Sequence, residues 1–190
     1  IFEGTNEINR MLVTGMLLKR AVKGSLPLFA QAEAVAKALD EKQVPVATDA
    51  DVLAGAARDA EALKMAALYT MKVAAERFGT EIEKHQEVMA AVADVVMDAY
   101  AVDSMVARTR QSPTDPVKVA MTQAYAADAI ARSGERARRA LCASSEGSTL
   151  EKHLAAIAPL FVFRPYDPAA LRETVVLAAE EAGGYPLAIA

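Results

Sequence analysis

Apolar residues recur at helical spacing along nearly the whole chain, and breakers cut the pattern into segments. Thr5 stands where it can cap a first helix running to about Val22, with Lys19, Arg20 and Lys23 complementing the dipole at its end and Gly24 as the stop. Ser25-Leu26-Pro27 starts a second, short helix whose apolar face is Leu28, Ala32, Val35 and Leu39, with Pro45 just beyond. Thr48 or Asp49 can cap a long helix carrying apolar or small residues at Val52, Ala56, Ala60, Leu63, Ala67, Met71, Ala74 and Phe78. These spacings alternate fours and threes, the mark of a packed seam, and Gly79 ends the run.

Thr80-Glu81-Ile82-Glu83 has the form of a capping box and predicts the start of the next helix. Its main row is Val88, Val92, Val95, Ala99, Val102 and Val106; a second row, Met89, Val96 and Tyr100, predicts that two faces are buried. Asp115-Pro116 places an N-cap and an N1 proline ahead of a helix through Ala120, Ala124, Ala127 and Ala131 to about Leu141, finishing on Arg132, Arg136, Arg138 and Arg139. After Gly147, Ser148-x-x-Glu151 is another capping box, followed by Leu150, Leu154, Ile157 and Phe161 until Arg164-Pro165 breaks the chain. Asp167-Pro168 restarts a helix that Gly183-Gly184 terminates. No segment alternates convincingly enough to be a strand. The expected fold class is all-α: an antiparallel four-helix bundle over residues 49–190, its last helix split in two, preceded by one or two helices.

Composition changes that picture only at the margins. With 190 residues, 53% hydrophobic, the chain has enough apolar surface for a core, although much of it is Ala, which buries little area per contact. A net charge of -4 argues against nucleic acid as a partner. Cys142 is the only cysteine, which excludes an internal disulfide and suits a reducing compartment. No apolar run approaches the roughly 18 residues that span a bilayer, and no secretory signal is present. Ile1 does not look like a natural start, so targeting information has room upstream.

Most side chains that carry chemistry elsewhere have an ordinary explanation here. His85 and His153 are not in metal-ligand spacing with Cys142 or in a Glu-x-x-His pair, so no metal site is expected. Met65, Met71, Met89, Met97, Met105 and Met121 read as core filling before they read as a pliable acyl-contacting surface. The four arginines from Arg132 to Arg139 read as a solvated, dipole-complementing helix end before they read as a dock for an acidic partner. The short helix from Leu28 to Leu39 has Glu33, Lys37, Asp40 and Glu41 on its polar face, too few cations for an interfacial helix, and membrane docking is not favoured.

The first ten residues are different. Ile1-Phe2-Glu3-Gly4-Thr5-Asn6-Glu7-Ile8-Asn9-Arg10 closely resembles the glutamate-bearing signature of acyl-CoA dehydrogenases, particularly the medium-chain and very-long-chain branches, and a helix is expected directly after it as in those enzymes. Lys84-His85-Gln86 and the arginine-rich helix ending at Arg139 are similar to the extra helical domain that very-long-chain-type members carry. The resemblance implies that Glu3 is the base removing the pro-R α-proton of an acyl thioester, that Gly4 lets the backbone approach substrate, and that Thr5, Asn6 and Glu7 border FAD. A carboxylate suits that role, because the α-proton is weakly acidic and a base in an apolar, water-excluded site has its pKa raised toward the working range. The flavin then takes the β-hydrogen as hydride.

The same resemblance implies three parts: residues 1–24 as the end of a catalytic region, 25–48 as a linker with a short amphipathic helix, and 49–190 as a C-terminal bundle. The domains that hold flavin and thioester in such enzymes are not among these residues, so the chain by itself is expected to be colourless and inert. For the parent, the implied partners are fatty acyl-CoA, an electron-transfer flavoprotein and further copies of itself, in a bacterial cytoplasm or a mitochondrial matrix. The competing expectations are a helical module for dimerisation or docking, and an unrelated helical scaffold with a fortuitous motif.

Overall fold

The computed structural model describes residues 5–47, 51–162 and 165–187, and these contain helices and turns with no strand. Thr5 caps α1 (Asn6–Val22): with its own backbone extended, its hydroxyl accepts the Ile8 N–H at 3.5 Å. Gly24, at φ +72°, takes the chain out again in a conformation that favours glycine. α2 (Leu28–Asp40) begins after Pro27 and buries Leu28, Ala32 and Leu39, the face its spacing predicts. Three long helices follow: α3 (Ala54–Phe78), α4 (Gln86–Thr109) and α5 (Pro116–Ser144). The shorter α6 (Gly147–Ile157) and α7 (Pro168–Ala182) complete the chain.

α3, α4 and α5 pack against one another at the centre, with α2 on α3, α1 on α4 and α7 on α5. The larger core runs between the three central helices through Leu63, Val95, Val102, Ile130 and Leu141. Small residues at Ala60, Ala66, Ala126, Ala129 and Ala137 let the backbones come close there, so packing density rather than side-chain size holds the helices together. Ile157 from α6 and Leu160 from the 3-10 turn Ala158–Phe161 insert into the same core and share the fourth position of the bundle. A second cluster joins Ala21 and Leu28 to Met71, Met89 and Val92, seating the α1–α2 corner on α3 and α4.

Several local expectations are corrected. The helix after Gly79 does not begin at Thr80. Residues Gly79–Lys84 form a 3-10 turn that buries Ile82, and α4 starts at Gln86 with His85 at the cap, stacked on Phe78 at 3.5 Å between ring centroids. Burial of Ile82 and the φ of +52° at Gly79 turn the chain before a capping box can close. Nor does Ser148 cap α6, which begins at Gly147 with Glu146 preceding it and no side-chain cap bond. The caps expected at Thr48 or Asp49 lie outside the described residues; α3 starts at Ala54, where the Asp51 carboxylate accepts the Leu53 N–H at 2.6 Å. Val52 precedes the helix and is exposed.

Of the expected α5 row Ala120, Ala124, Ala127 and Ala131, Ala120 is buried but Ala131 is exposed; the buried row continues instead through Thr122, Ala126, Ala129, Ser133, Ala137 and Ala140. On α4, Met89 is buried but Tyr100 is exposed, so the second face closes only partway along the helix. Asp115 caps α5 as expected, accepting the Val117 and Lys118 N–H groups at 3.0 and 3.2 Å, which holds its carboxyl below the usual carboxylate range. Asp167 does the same for α7.

Candidate functional site

The motif that carries chemistry leads into α1. Glu3 and Gly4 lie outside the described residues. Thr5 is the N-cap, and Asn6 and Glu7 form the exposed first turn, so these three stand together at a helix start whose first N–H groups have no intrahelical partner. The Glu7 carboxyl is held below its usual range by its own backbone N–H and by the Thr5 hydroxyl, and stays ionised. That corner therefore offers hydroxyl, amide and carboxylate, a set suited to a donor group on a bound molecule and poorly suited to a phosphate at Glu7. Thr5, Asn6 and Glu7 do not line the clefts beside α7, beside Cys142 and His153, or beside Met105 and Tyr185. These residues fit one edge of a cofactor and do not enclose it.

Behind this helix start lies an ionic ladder that joins three helices. Arg10, the last residue of the motif, donates from Nε to Asp94 Oδ1 on α4 at 2.6 Å. The other Asp94 oxygen faces Arg136 Nε on α5 at 3.2 Å. One turn along, Asp98 is buried and accepts from Arg132 Nε at 2.9 Å and Nη2 at 2.5 Å, from Ser133 Oγ at 2.8 Å and from Arg136 Nη1 at 3.2 Å. Arg132 also lies over the Tyr125 ring, 4.8 Å from its centroid. The hydrogen bonds that Arg132 donates to Asp98 raise its pKa further above its already high value.

Asp94 and Asp98 are one turn apart, as are Arg132 and Arg136, so carboxylates and guanidiniums alternate along the α4–α5 seam. Arg132 and Arg136 are thus mid-helix partners of the buried Asp98 and the partly buried Asp94, not a solvated helix end; Arg138 and Arg139 pair with Glu135 within α5. Sequence reasoning missed Asp94 and Asp98. The available signal was the match of two i,i+4 pairs of opposite charge on neighbouring helices. The ladder contains no nucleophile and no redox group; what it can do is hold α1 in place.

The remaining candidates separate. His153 accepts or donates one hydrogen bond with the Tyr69 hydroxyl at 2.8 Å, while His85 stacks on Phe78, the last residue of α3. Burial lowers the His153 pKa and raises that of Tyr69. Among the described residues no group of His, Cys, Asp and Glu is placed to hold a metal ion. No helix of the described residues is long and apolar enough to cross a membrane. A cleft of about 700 Å³ lies between α3, α5 and α7, lined by Gly55, Ala127, Ile130, Gly134, Phe161 and Leu171 among others.

The comparisons with known proteins agree with this architecture. The family model described as "Acyl-CoA dehydrogenase, C-terminal domain" matches residues 62–158, from α3 through α6. A protein described as a probable acyl-CoA dehydrogenase from Bacillus subtilis (strain 168) is 34% identical over 166 residues, which are 84% of this chain and 28% of that protein. The crystal structure of an acyl-CoA dehydrogenase complexed with FAD from Bacillus anthracis superposes with a TM-score of 0.90 at 28% identity, over 98% of this chain and 32% of that one. The chain therefore spans about a third or less of the length of these relatives. Its central helices match the family model and its whole described fold recurs in a solved member: the chain belongs to the acyl-CoA dehydrogenase C-terminal domain family.

Proposed function

We propose that this chain is the C-terminal part of an FAD-dependent acyl-CoA dehydrogenase that oxidises the α,β-bond of fatty acyl-CoA thioesters, with Glu3 as the base. One observation carries the proposal: the segment Ile1–Arg10 has the family's glutamate signature and runs directly into α1, capped by Thr5, in a chain whose fold matches a flavin-bound member. Glu3 removes the α-proton and holds it as a carboxylic acid; Gly4 keeps the backbone beside it free of a side chain. Thr5 and Asn6 offer hydrogen bonds to the edge of the flavin from the first turn of α1, and Glu7 accepts one there. The bound FAD supplies the acceptor for the hydride leaving the β-carbon. The rest of the cofactor and thioester pocket belongs to the part of the polypeptide that the longer relatives also carry.

The electron acceptor of the parent is an electron-transfer flavoprotein and the chain by itself is inert. Mixing the full-length polypeptide with an acyl-CoA under anaerobic conditions tests the proposal. Bleaching of the flavin absorbance is the expected result; a colourless protein, or a flavin that no acyl-CoA reduces, would overturn it.

A second reading concerns the chain alone and is favoured by one surface. Ile8, Leu12 and Met16 form a single exposed row along α1 at 56%, 55% and 44% exposure. A row of that kind is usually covered, by another part of the same polypeptide or by a second copy. This docking role is compatible with the enzymatic one, because the covered helix is the one that leaves the active-site segment.

A further inference from the structure

We propose that Asp94 is a positioning residue for the segment that carries Glu3, acting through Arg10. The inference rests on the reading of Glu3 as base and adds to it a role for the C-terminal bundle. Glu3 stands three residues before α1 begins, so its location depends on where the start of that helix is held. The side chains of Asn6, Glu7, Ile8 and Asn9 are exposed and contribute little to holding it. Arg10 is the first residue of α1 that is tied to anything distant, and the tie is short and charge-assisted: Nε to Asp94 Oδ1 at 2.6 Å. Met11, beside Arg10, packs on the second core cluster, Thr14 is fully buried a turn further on, and Ala21 is seated near the far end. Without the Arg10 tie, α1 is seated only from Met11 onward, so the turn from Asn6 to Asn9 and the sequence that precedes it lose their fixed point. From Arg10 to Thr5 alone that stretch is about 7.5 Å at 1.5 Å per residue.

Asp94 is a suitable anchor because it cannot itself wander. Its side chain is 13% exposed, its second oxygen is held by Arg136, and Arg136 is in turn held by Asp98, which Arg132 and Ser133 fix from α5. The chain of contacts runs Glu3 segment, Arg10, Asp94, Arg136, Asp98, and it ends in the most densely bonded carboxylate on the α4–α5 seam. On this proposal the bundle holds the start of the helix that follows the base in sequence. A base displaced by about 1 Å from its target loses up to about a hundredfold in rate.

The test uses the full-length polypeptide with its flavin, assayed well below its unfolding temperature. Asp94→Asn, Arg10→Gln and the double variant are compared with wild type in kcat, KM and the pH profile of kcat. Expected is a fall in kcat of about tenfold or more for each single variant, with KM changed far less, since thioester binding does not pass through this contact. The double variant falls no further than the singles, because both break one tie. Asp94→Glu, which keeps the carboxylate, recovers much of the loss. Asp103→Asn, which removes the separate Lys64–Asp103 pair at 2.8 Å, leaves kcat unchanged. Wild-type kcat and pH profile in both single variants would overturn the inference, as would additive losses. If Asp94→Asn does not fold, Arg10→Gln, at the exposed end of the tie, decides by the same criteria. Retention of turnover by Glu3→Gln would instead remove the underlying reading, so the two failures are distinguishable.

Discussion

Arg58 on α3 donates from Nη1 to the carbonyl of Leu160 at 2.6 Å, bridging the start of the long helix to the turn that follows α6. The same guanidinium reaches the Pro159 carbonyl from Nη2 at 2.8 Å and the Pro45 carbonyl from Nε at 3.2 Å, while being 8% exposed. One side chain thus satisfies carbonyls from two connections that have no helix of their own to pair with. Arg58→Met should lower the unfolding free energy by about 3 kcal/mol, because buried carbonyls and the neighbouring Asp59 lose a charged donor. Arg58→Lys should recover little, since an ammonium lacks the planar fork. Urea unfolding measures both.

Asp98 makes the corresponding prediction on the other side of the bundle. Asp98→Asn keeps the shape but removes the charge that Arg132, Arg136 and Ser133 converge on. A loss of roughly 2–3 kcal/mol is expected, discounted for the partial exposure of both arginines. The Asp98→Asn and Arg132→Gln effects should fall short of additivity in a double-mutant cycle, whereas Asp98→Asn and Arg58→Met should add.

His153 gives stability a dependence on pH. Burial depresses its folded-state pKa, whereas the unfolded chain titrates it near 6.5. The unfolded state thus binds the proton first, and the histidine's contribution, complete above about pH 6.5, declines as pH falls through that value toward the lower folded pKa. The Tyr69 bond does not by itself oppose protonation, because the hydroxyl can accept from an imidazolium as readily as it donates to an imidazole. Desolvation is the cause. Unfolding midpoints followed from pH 7.5 to 5 should show a steeper decline for wild type than for His153→Gln.

Gly134 and Phe161 test how tightly the last connection is packed. A Cβ on Gly134 would sit 3.1 Å from two atoms of the Phe161 ring. Phe161 also lines the cleft beside α7, so the ring has space to give by a few tenths of an ångström. Gly134→Ala should change stability by less than about 1 kcal/mol, the gain in helix propensity offsetting the displacement. Gly134→Leu, which the same shift cannot accommodate, should cost about 2 kcal/mol or more in urea unfolding.

How much of this was legible from sequence depended on the kind of signal. Thr5, Gly24, Asp115 with Pro116, and Asp167 with Pro168 marked helix ends correctly, because each acts through its own local backbone chemistry. Thr80 and Ser148 carried equally good capping patterns and failed. At the first, burial of Ile82 drew the chain into a 3-10 turn; at the second, the helix began two residues earlier than a Ser148 cap requires, at Gly147. The α5 core face was misplaced because alanine is nearly uninformative: a row of Ala124, Ala127 and Ala131 looks as apolar as the buried row, and only the positions of α3 and α4 choose between them. Arg132 and Arg136 looked like part of a helix end because Asp94 and Asp98, their partners, are distant in sequence. The motif itself was legible from its contiguous residues, whereas its anchor on Asp94 needed three dimensions.

Glu3→Gln in the full-length polypeptide is the most direct measurement of the central claim. With Glu3 as base, the variant keeps its yellow flavin yet reduces it with acyl-CoA at least a thousandfold more slowly, the order of loss expected when a general base is removed. Flavin reduction at the wild-type rate by Glu3→Gln would contradict it.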